Sequence, residues 1–263
     1  VVDDLIVYRM GEDAFMIVVN AGTQDADFEW VKQHLSQGTW AENVSERTAK
    51  IDLQGPGAPK ILQQLVDRSL VGMKAYDHVE MSLAGMRVLV SRTGYTGEIG
   101  FEIYSDTDDC ARIWRMCMDK GALPAGLGAR DTLRLEMCYP LYGHELDAQR
   151  NVAESGFERL VSSSKEFVGS AAVRDTGRSP QRLVALELVD RRAARAGDRV
   201  VGPAGETIGT VTSGSFAPSL GKAIALAYVT GTRAAPGSRL AVRTARGDRS
   251  AEVVEKPFYK EAT

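Results

Sequence analysis

The sequence has 263 residues, 44% of them hydrophobic and 25% charged, with a net charge of −3, a composition ordinary for a globular chain and long enough for one large domain or about two or three smaller ones. The near-balanced charge argues against a protein that coats nucleic acid. No run approaches the ~18 apolar residues a membrane helix needs, so neither nucleic acid nor membrane is expected as a partner. The three cysteines, Cys110, Cys117 and Cys138, are odd in number and lack zinc-ligand spacing, which fits a reducing compartment and predicts no metal site.

The chain opens VVDDLIVY. Asp4–Met10 and Ala14–Asn20 read as two strands joined by Gly11-Glu12-Asp13, a β-hairpin. Side chains alternate along a strand, so Asp4, Ile6 and Tyr8 share one face. A three-residue loop places Asn20 opposite Asp4. Such a face offers a carboxylate, an amide, an aliphatic chain and a phenol, which suits a flat polar heterocycle. It also reads as a solvated edge, since acids blunt edges. The sequence begins inside a strand, and an N-terminal portion is expected to be missing.

Thr23–Leu35 has helical spacing, with Thr23 as the cap. Lys50–Leu53 reads as a strand broken by Gly55-Pro56-Gly57, and Ala58–Val66 as a short helix. Val79–Tyr104 is strand-rich, with a turn at Ala84-Gly85. Asp106–Lys120 and Ala129–Cys138 read as helices, the first placing Cys110 and Cys117 on one core-facing stripe. Composition shifts near Gly177-Arg178. Beyond it, Leu183–Leu188, Thr207–Val211, Ala223–Val229, Arg239–Val242 and Ala251–Val254 are short β-like runs between Gly/Pro turns, which predicts a small all-β barrel or sandwich.

No dinucleotide fingerprint, P-loop or nucleophile elbow is present. His34, His78 and His144 are isolated and carry no predicted role. Two stretches are richer. In SRTGYTGEIGFE, Ser91–Glu102, glycines permit tight turns and close backbone approach, Tyr95 sits at the tip, and Glu102 enters the next strand. Glu102 is either a surface charge or a buried acceptor that needs donors, such as the adjacent N–H groups of a pterin-like ring. In LPAGLGARDTLRLEMCYPLYG, Leu123–Gly143, Arg130 falls in the first helical turn, against the positive end of the macrodipole. Asp131, Asp4, a ligand carboxylate or a polar ring would each compensate it.

These stretches, with DDLIVYR, NAG, LQGP, VALEL, TSGSFAPSLGKAIALAYV and KPFYK in order along the whole chain, resemble the aminomethyltransferase family, the T-protein of the glycine cleavage system. The resemblance implies an α+β, multi-domain fold around a folate-binding channel with a C-terminal β-barrel. The implied division is 1–177 for the folate-binding and catalytic region and 178–263 for the barrel. It implies transfer of a one-carbon unit from the aminomethyl-lipoyl arm of the H-protein to tetrahydrofolate, without a metal, giving 5,10-methylenetetrahydrofolate, ammonia and a dihydrolipoyl arm. The second aspartate of the DD pair, Asp4, is the implied catalytic residue, orienting and polarising a folate amine. Ile6, Tyr8, Asn20, Tyr95, Glu102, Arg130, Tyr139 and Tyr259 are the implied folate-binding residues. A bacterial cytoplasm or a mitochondrial matrix is the implied location.

Two departures stand out. The family carries further sequence upstream, and around Arg159 and Ser163, where this chain reads SGFERLVSSSKEFVG, it more often has a Trp and a Lys. Other activities remain open on the same fold: folate-dependent demethylation of a small methylated donor, or non-enzymatic folate binding in iron–sulfur protein maturation. The Lys-Gly-Cys-Tyr type motif of the latter relatives is absent; Met137-Cys138-Tyr139 is a different context.

Overall fold

The computed structural model describes residues 1–175 and 181–260; the composition shift at Gly177-Arg178 lies outside the described residues. The chain divides into two compact units, one of Ile6–Arg130 and one of Val1–Leu5 with Asp131–Thr263. It is an α+β, multi-domain fold with a closed C-terminal barrel.

The Ile6–Arg130 unit begins with an antiparallel hairpin of β1 (Ile6–Arg9) and β2 (Phe15–Val18), paired from Ile6–Val18 to Arg9–Phe15. Met10 N–H donates to the Ala14 carbonyl at 2.8 Å, so the turn is the expected Gly11-Glu12-Asp13. The register is the expected one, but the ladder starts at Ile6, and Asp4 and Asn20 lie beyond it. Helix α1 (Gln24–Gln33) stops short of Leu35, and Thr23 at its N-cap makes no side-chain cap bond. Its hydroxyl donates instead to the Asn20 carbonyl at 3.3 Å.

A four-stranded antiparallel sheet follows, ordered β3-β6-β5-β4. Its elements run β3 (Thr48–Gln54), α2 (Ala58–Gln63), β4 (His78–Leu83), β5 (Met86–Ser91), β6 (Gly100–Asp106) and α3 (Thr107–Asp119). Alternation gives this sheet two unlike faces. On one, Ile51, Leu53, Val88, Val90, Phe101 and Ile103 form a core with Leu62 of α2 and with Ile113 and Cys117 of α3. On the other, Lys50 pairs across with Tyr104, Asp52 with Glu102 and Gln54 with Gly100. The β1–β2 hairpin covers part of that second face: Tyr8 packs with Leu89 and Tyr104, and Ile6, Met16 and Val18 flank them. Helix α4 (Leu127–Glu136) carries Arg130.

In the other unit, the last turn of α4 ends in a Schellman-type cap. Tyr139 N–H donates to the Arg134 carbonyl and Cys138 N–H to that of Leu135, both at 2.9 Å, with Cys138 at φ 57°. Glycine is the usual residue there. Helix α5 (Ser170–Asp175) precedes β7 (Gln181–Leu188), β8 (Arg199–Val201), β9 (Thr207–Ala217), β10 (Lys222–Thr230), β11 (Arg239–Thr244) and β12 (Gly247–Val254). These strands close as β10-β7-β12-β11-β8-β9, so the barrel alternative is the one adopted. Strand β8, three residues long, is the strand that periodicity misses. The barrel interior is lined by residues such as Leu186, Val200, Val211, Ala225, Val229 and Val242. Outside it, Leu135 and Cys138 pack on Leu183, Ala185, Ile224 and Leu226.

A buried ion pair fixes α4 to the barrel. Arg134 donates through Nη1 to Glu145 Oε2 at 2.8 Å, through Nη2 to Ser213 Oγ at 2.8 Å and through Nε to Asp131 Oδ1 at 2.7 Å. Glu145 also accepts from Thr212 Oγ1 at 2.5 Å and from Leu141 N–H at 3.0 Å. The Thr-Ser of the TSGSF stretch is therefore spoken for by this network. Buried charges need such complete pairing.

Candidate functional site

The second face of the β3-β6-β5-β4 sheet carries the chemistry. Glu102, 4% exposed, sits mid-strand in β6 because its alternation partners Phe101 and Ile103 take the core side. Tyr104 Oη donates to Glu102 Oε2 at 2.5 Å, a charge-assisted length. Tyr8 Oη, brought in by the hairpin, donates to the same oxygen at 3.4 Å and also contacts Thr93 Oγ1 and Tyr104 Oη at 3.4 Å. Lys50 Nζ, from β3, donates to Glu102 Oε1 at 2.8 Å and lies 3.4 Å from Asp52 Oδ1. Glu102 is thus a buried acceptor rather than a surface charge. A carboxylate has about four acceptor positions; here Lys50 bonds Oε1, and Tyr104 and Tyr8 bond Oε2.

Electrostatics separates the two facing carboxylates. Burial pushes the Glu102 carboxyl up, but the Lys50 charge and hydrogen bond, with the Tyr104 and Thr93 hydroxyls, outweigh it and hold the group below its ordinary value. Burial raises Asp52, and its proximity to Glu102 adds to that; Lys50 and Arg130 only partly offset the rise. Burial and the Glu102 carboxylate together hold the Tyr104 phenol far above its ordinary value, so it stays a donor.

Beside this cluster runs the glycine-rich loop. Gln54 Nε2 donates to the carbonyls of Thr93 at 3.1 Å and Phe101 at 3.3 Å, and Gly55 N–H donates to the Ile99 carbonyl at 2.8 Å, closing the neck of the loop. A Cβ on Gly94 or Gly100 would come within 2.0 or 1.9 Å of Gln54 Oε1. Those two glycines make space for the Gln54 amide, whereas Gly97, at φ 81°, is required by its backbone. Tyr95 is half-buried, and the Arg130 guanidinium lies 4.6 Å from the centre of its ring, a cation–π contact. The cation in the first turn of α4 is therefore answered by an aromatic ring and by the field of Asp52, while Asp131 pairs with Arg134.

Of the predicted site residues, Tyr8 and Glu102 are joined directly, as are Tyr95 and Arg130. Ile6 flanks Tyr8, and the Asn20 carbonyl caps the turn into α1. Asp4, Tyr139 and Tyr259 belong to the other unit. Asp4 is solvent-accessible, yet partial burial, and then the neighbouring Asp3, push its carboxyl up. Tyr139 and Tyr259 both hang from the end of α4: their N–H groups donate to the carbonyls of Arg134 and Glu136, each at 2.9 Å. Lys50, Asp52, Gln54, Thr93 and Tyr104 were not foreseen. The polar alternation Lys50-Asp52-Gln54 against Ile51-Leu53 was the signal that marks their face. Among the described residues, no group of three or more His, Cys, Asp or Glu could hold a metal ion, and no helix is long and apolar enough to cross a membrane.

Known proteins are similar to this chain along nearly its whole length. The family model of the GCVT N-terminal domain matches residues 1–165, and that of the glycine cleavage T-protein C-terminal barrel domain matches residues 181–260. The aminomethyltransferase of Geobacillus thermodenitrificans is 43% identical over 271 residues, 99% of this chain and 74% of that protein. That of Moorella thermoacetica is 44% identical over 270 residues, 99% of this chain and 73% of that protein. The crystal structure of the glycine cleavage system aminomethyltransferase T from Bartonella henselae superposes with a TM-score of 0.89 at 27% identity, covering 98% of this chain and 72% of that one. The chain belongs to the glycine cleavage T-protein family, the aminomethyltransferases, which are one-carbon transferase enzymes.

Proposed function

We propose that this chain transfers the one-carbon unit of an aminomethyl-lipoyl H-protein to tetrahydrofolate. The observation that carries the reading is Glu102, a buried and ionised acceptor held by Lys50 on the polar face of the β3-β6-β5-β4 sheet, in a chain of this family. A reduced pterin presents N–H donors along one edge and a flat ring. Glu102 Oε1 accepts from the edge, Tyr8 and Ile6 wall the ring, and Tyr95 and Arg130 supply a second aromatic and cationic surface. Asn20, Tyr139 and Tyr259 complete the folate contacts.

Asp4 orients and polarises a folate amine for attack on the aminomethyl carbon; its contribution is placement and electrostatics, not a covalent bond. In the overall step that carbon bonds to two folate nitrogens while its bonds to the lipoyl sulfur and the amino nitrogen break. The two N–H protons leave with sulfur and ammonia, which balances the reaction without an oxidant or a metal. On this reading residues 1–177 form the folate-binding and catalytic region and 178–263 the barrel domain, and the enzyme works in the compartment that holds the H-protein.

The test is formation of methylenetetrahydrofolate from aminomethylated H-protein and tetrahydrofolate. Asp4→Asn is expected to lower kcat by about a hundredfold or more with little change in folate affinity. Glu102→Gln is expected to weaken folate binding by about tenfold or more. Unchanged turnover in Asp4→Asn removes its assigned role, and turnover of a small methylated donor without H-protein overturns the reading.

A further inference from the structure

We propose that Lys50 is a positioning residue that keeps Glu102 ionised and aimed for a ring N–H donor, and so widens the pH range over which the site binds its ligand. The inference rests on the function proposed above, but its first test does not need a ligand.

The geometry leaves little alternative for the carboxylate. Asp52 is its register partner across β3 and β6, so two carboxylates face each other where repulsion would drive one to take a proton. Around Glu102 stand Tyr104 on its own strand, Lys50 and Asp52 on β3, Ser91 opposite it on β5 with Thr93 just beyond, and Tyr8 on β1. His78 of β4 packs against Tyr8 with ring centres 4.9 Å apart, and Arg130 of α4 acts on Asp52. Among the described residues, Lys50 is the one cation with an ion pair to Glu102, at 2.8 Å. Its ammonium bonds Oε1, while the phenols hold Oε2. The Lys50 side chain is 32% exposed and the Glu102 side chain 5%, and the ammonium lies 3.4 Å from Asp52 Oδ1, so the pair joins a partly exposed cation to a buried carboxylate.

The experiment is a carbon-13 NMR titration of the Glu102 carboxyl in the full chain, in the wild type, Lys50→Met and Lys50→Arg. Lys50→Met is expected to raise the titration midpoint by about one unit or more, and Lys50→Arg to restore it. In parallel, binding of 5-formyltetrahydrofolate is measured from pH 5 to pH 8. Lys50→Met is expected to weaken it about fivefold more at pH 5 than at pH 8, a pH-dependent loss that mere destabilisation of the fold would not give. A midpoint in Lys50→Met equal to the wild type overturns the inference, as does a loss equal at both ends of the pH range with no rescue by Lys50→Arg. Failure of the wild type to bind this reduced folate at any pH counts against the proposed function, and the ligand-free titration still decides the role of Lys50.

Discussion

Asp52 and Glu102 face each other with Lys50 between them, and their pH dependences have opposite signs. Glu102 titrates below its ordinary value of 4.5. Its contribution to stability is present above that value and is lost as pH falls through the lower, folded-state one. Asp52 titrates above its ordinary value of 3.8, so its favourable contribution is present below 3.8 and is lost as pH rises through the folded-state value. At neutral pH the ionised Asp52 is the uncomfortable partner. Asp52→Asn is therefore expected to raise the thermal midpoint at pH 7, by on the order of 1–2 °C because the group is partly solvated. The gain is expected to shrink as pH falls below the carboxylate range; scans from pH 3 to pH 7 measure it, and a lower midpoint at pH 7 would contradict the assignment.

At the level of elements, the Gln54 amide ties the glycine-rich loop to the paired strands β3 and β6. Gly100→Ala places a methyl on Gln54 Oε1, and the amide can leave only by giving up both of its bonds. A loss of about 1–3 kcal/mol is expected, with part of it recovered in the Gln54→Ala background. Urea unfolding of the two single variants and the double variant measures the coupling, and strict additivity would refute it. Tyr8, Tyr95, Glu102 and Arg130 could be named from the sequence because each sits in or beside a conspicuous local pattern, a hairpin or a glycine-rich turn. Lys50, Asp52 and Gln54 could not, although their alternation was visible. Their meaning comes from the pairing of β3 with β6, a contact across about half of this unit, and no local periodicity encodes which strand lies opposite. Thr93 escaped for the same reason, since Tyr8 reaches it from β1, whereas the Tyr104–Glu102 bond lies within β6 itself.

For the molecule as a whole, the barrel was readable because its strands alternate between turn residues; β8 was too short to show a period. The union of α4 with the barrel was not readable, because Arg134 looks like any helical arginine until Glu145 and Ser213 reach it. Glu145→Gln strips the buried guanidinium of its buried counter-charge and is expected to cost about 3–5 kcal/mol. Asp131→Asn, on a side chain 56% exposed, is expected to cost about 0–1 kcal/mol. Chemical denaturation of the full chain compares the two, and equal losses would refute the distinction. The closed barrel has a last consequence. A sheet that returns to its own first strand offers no bare margin to a neighbouring molecule, whereas within its unit β3 has a strand on one side only. Charges along a margin discourage intermolecular zippering, so Lys50 and Asp52 stand guard over solubility at the same place where they tune an acid.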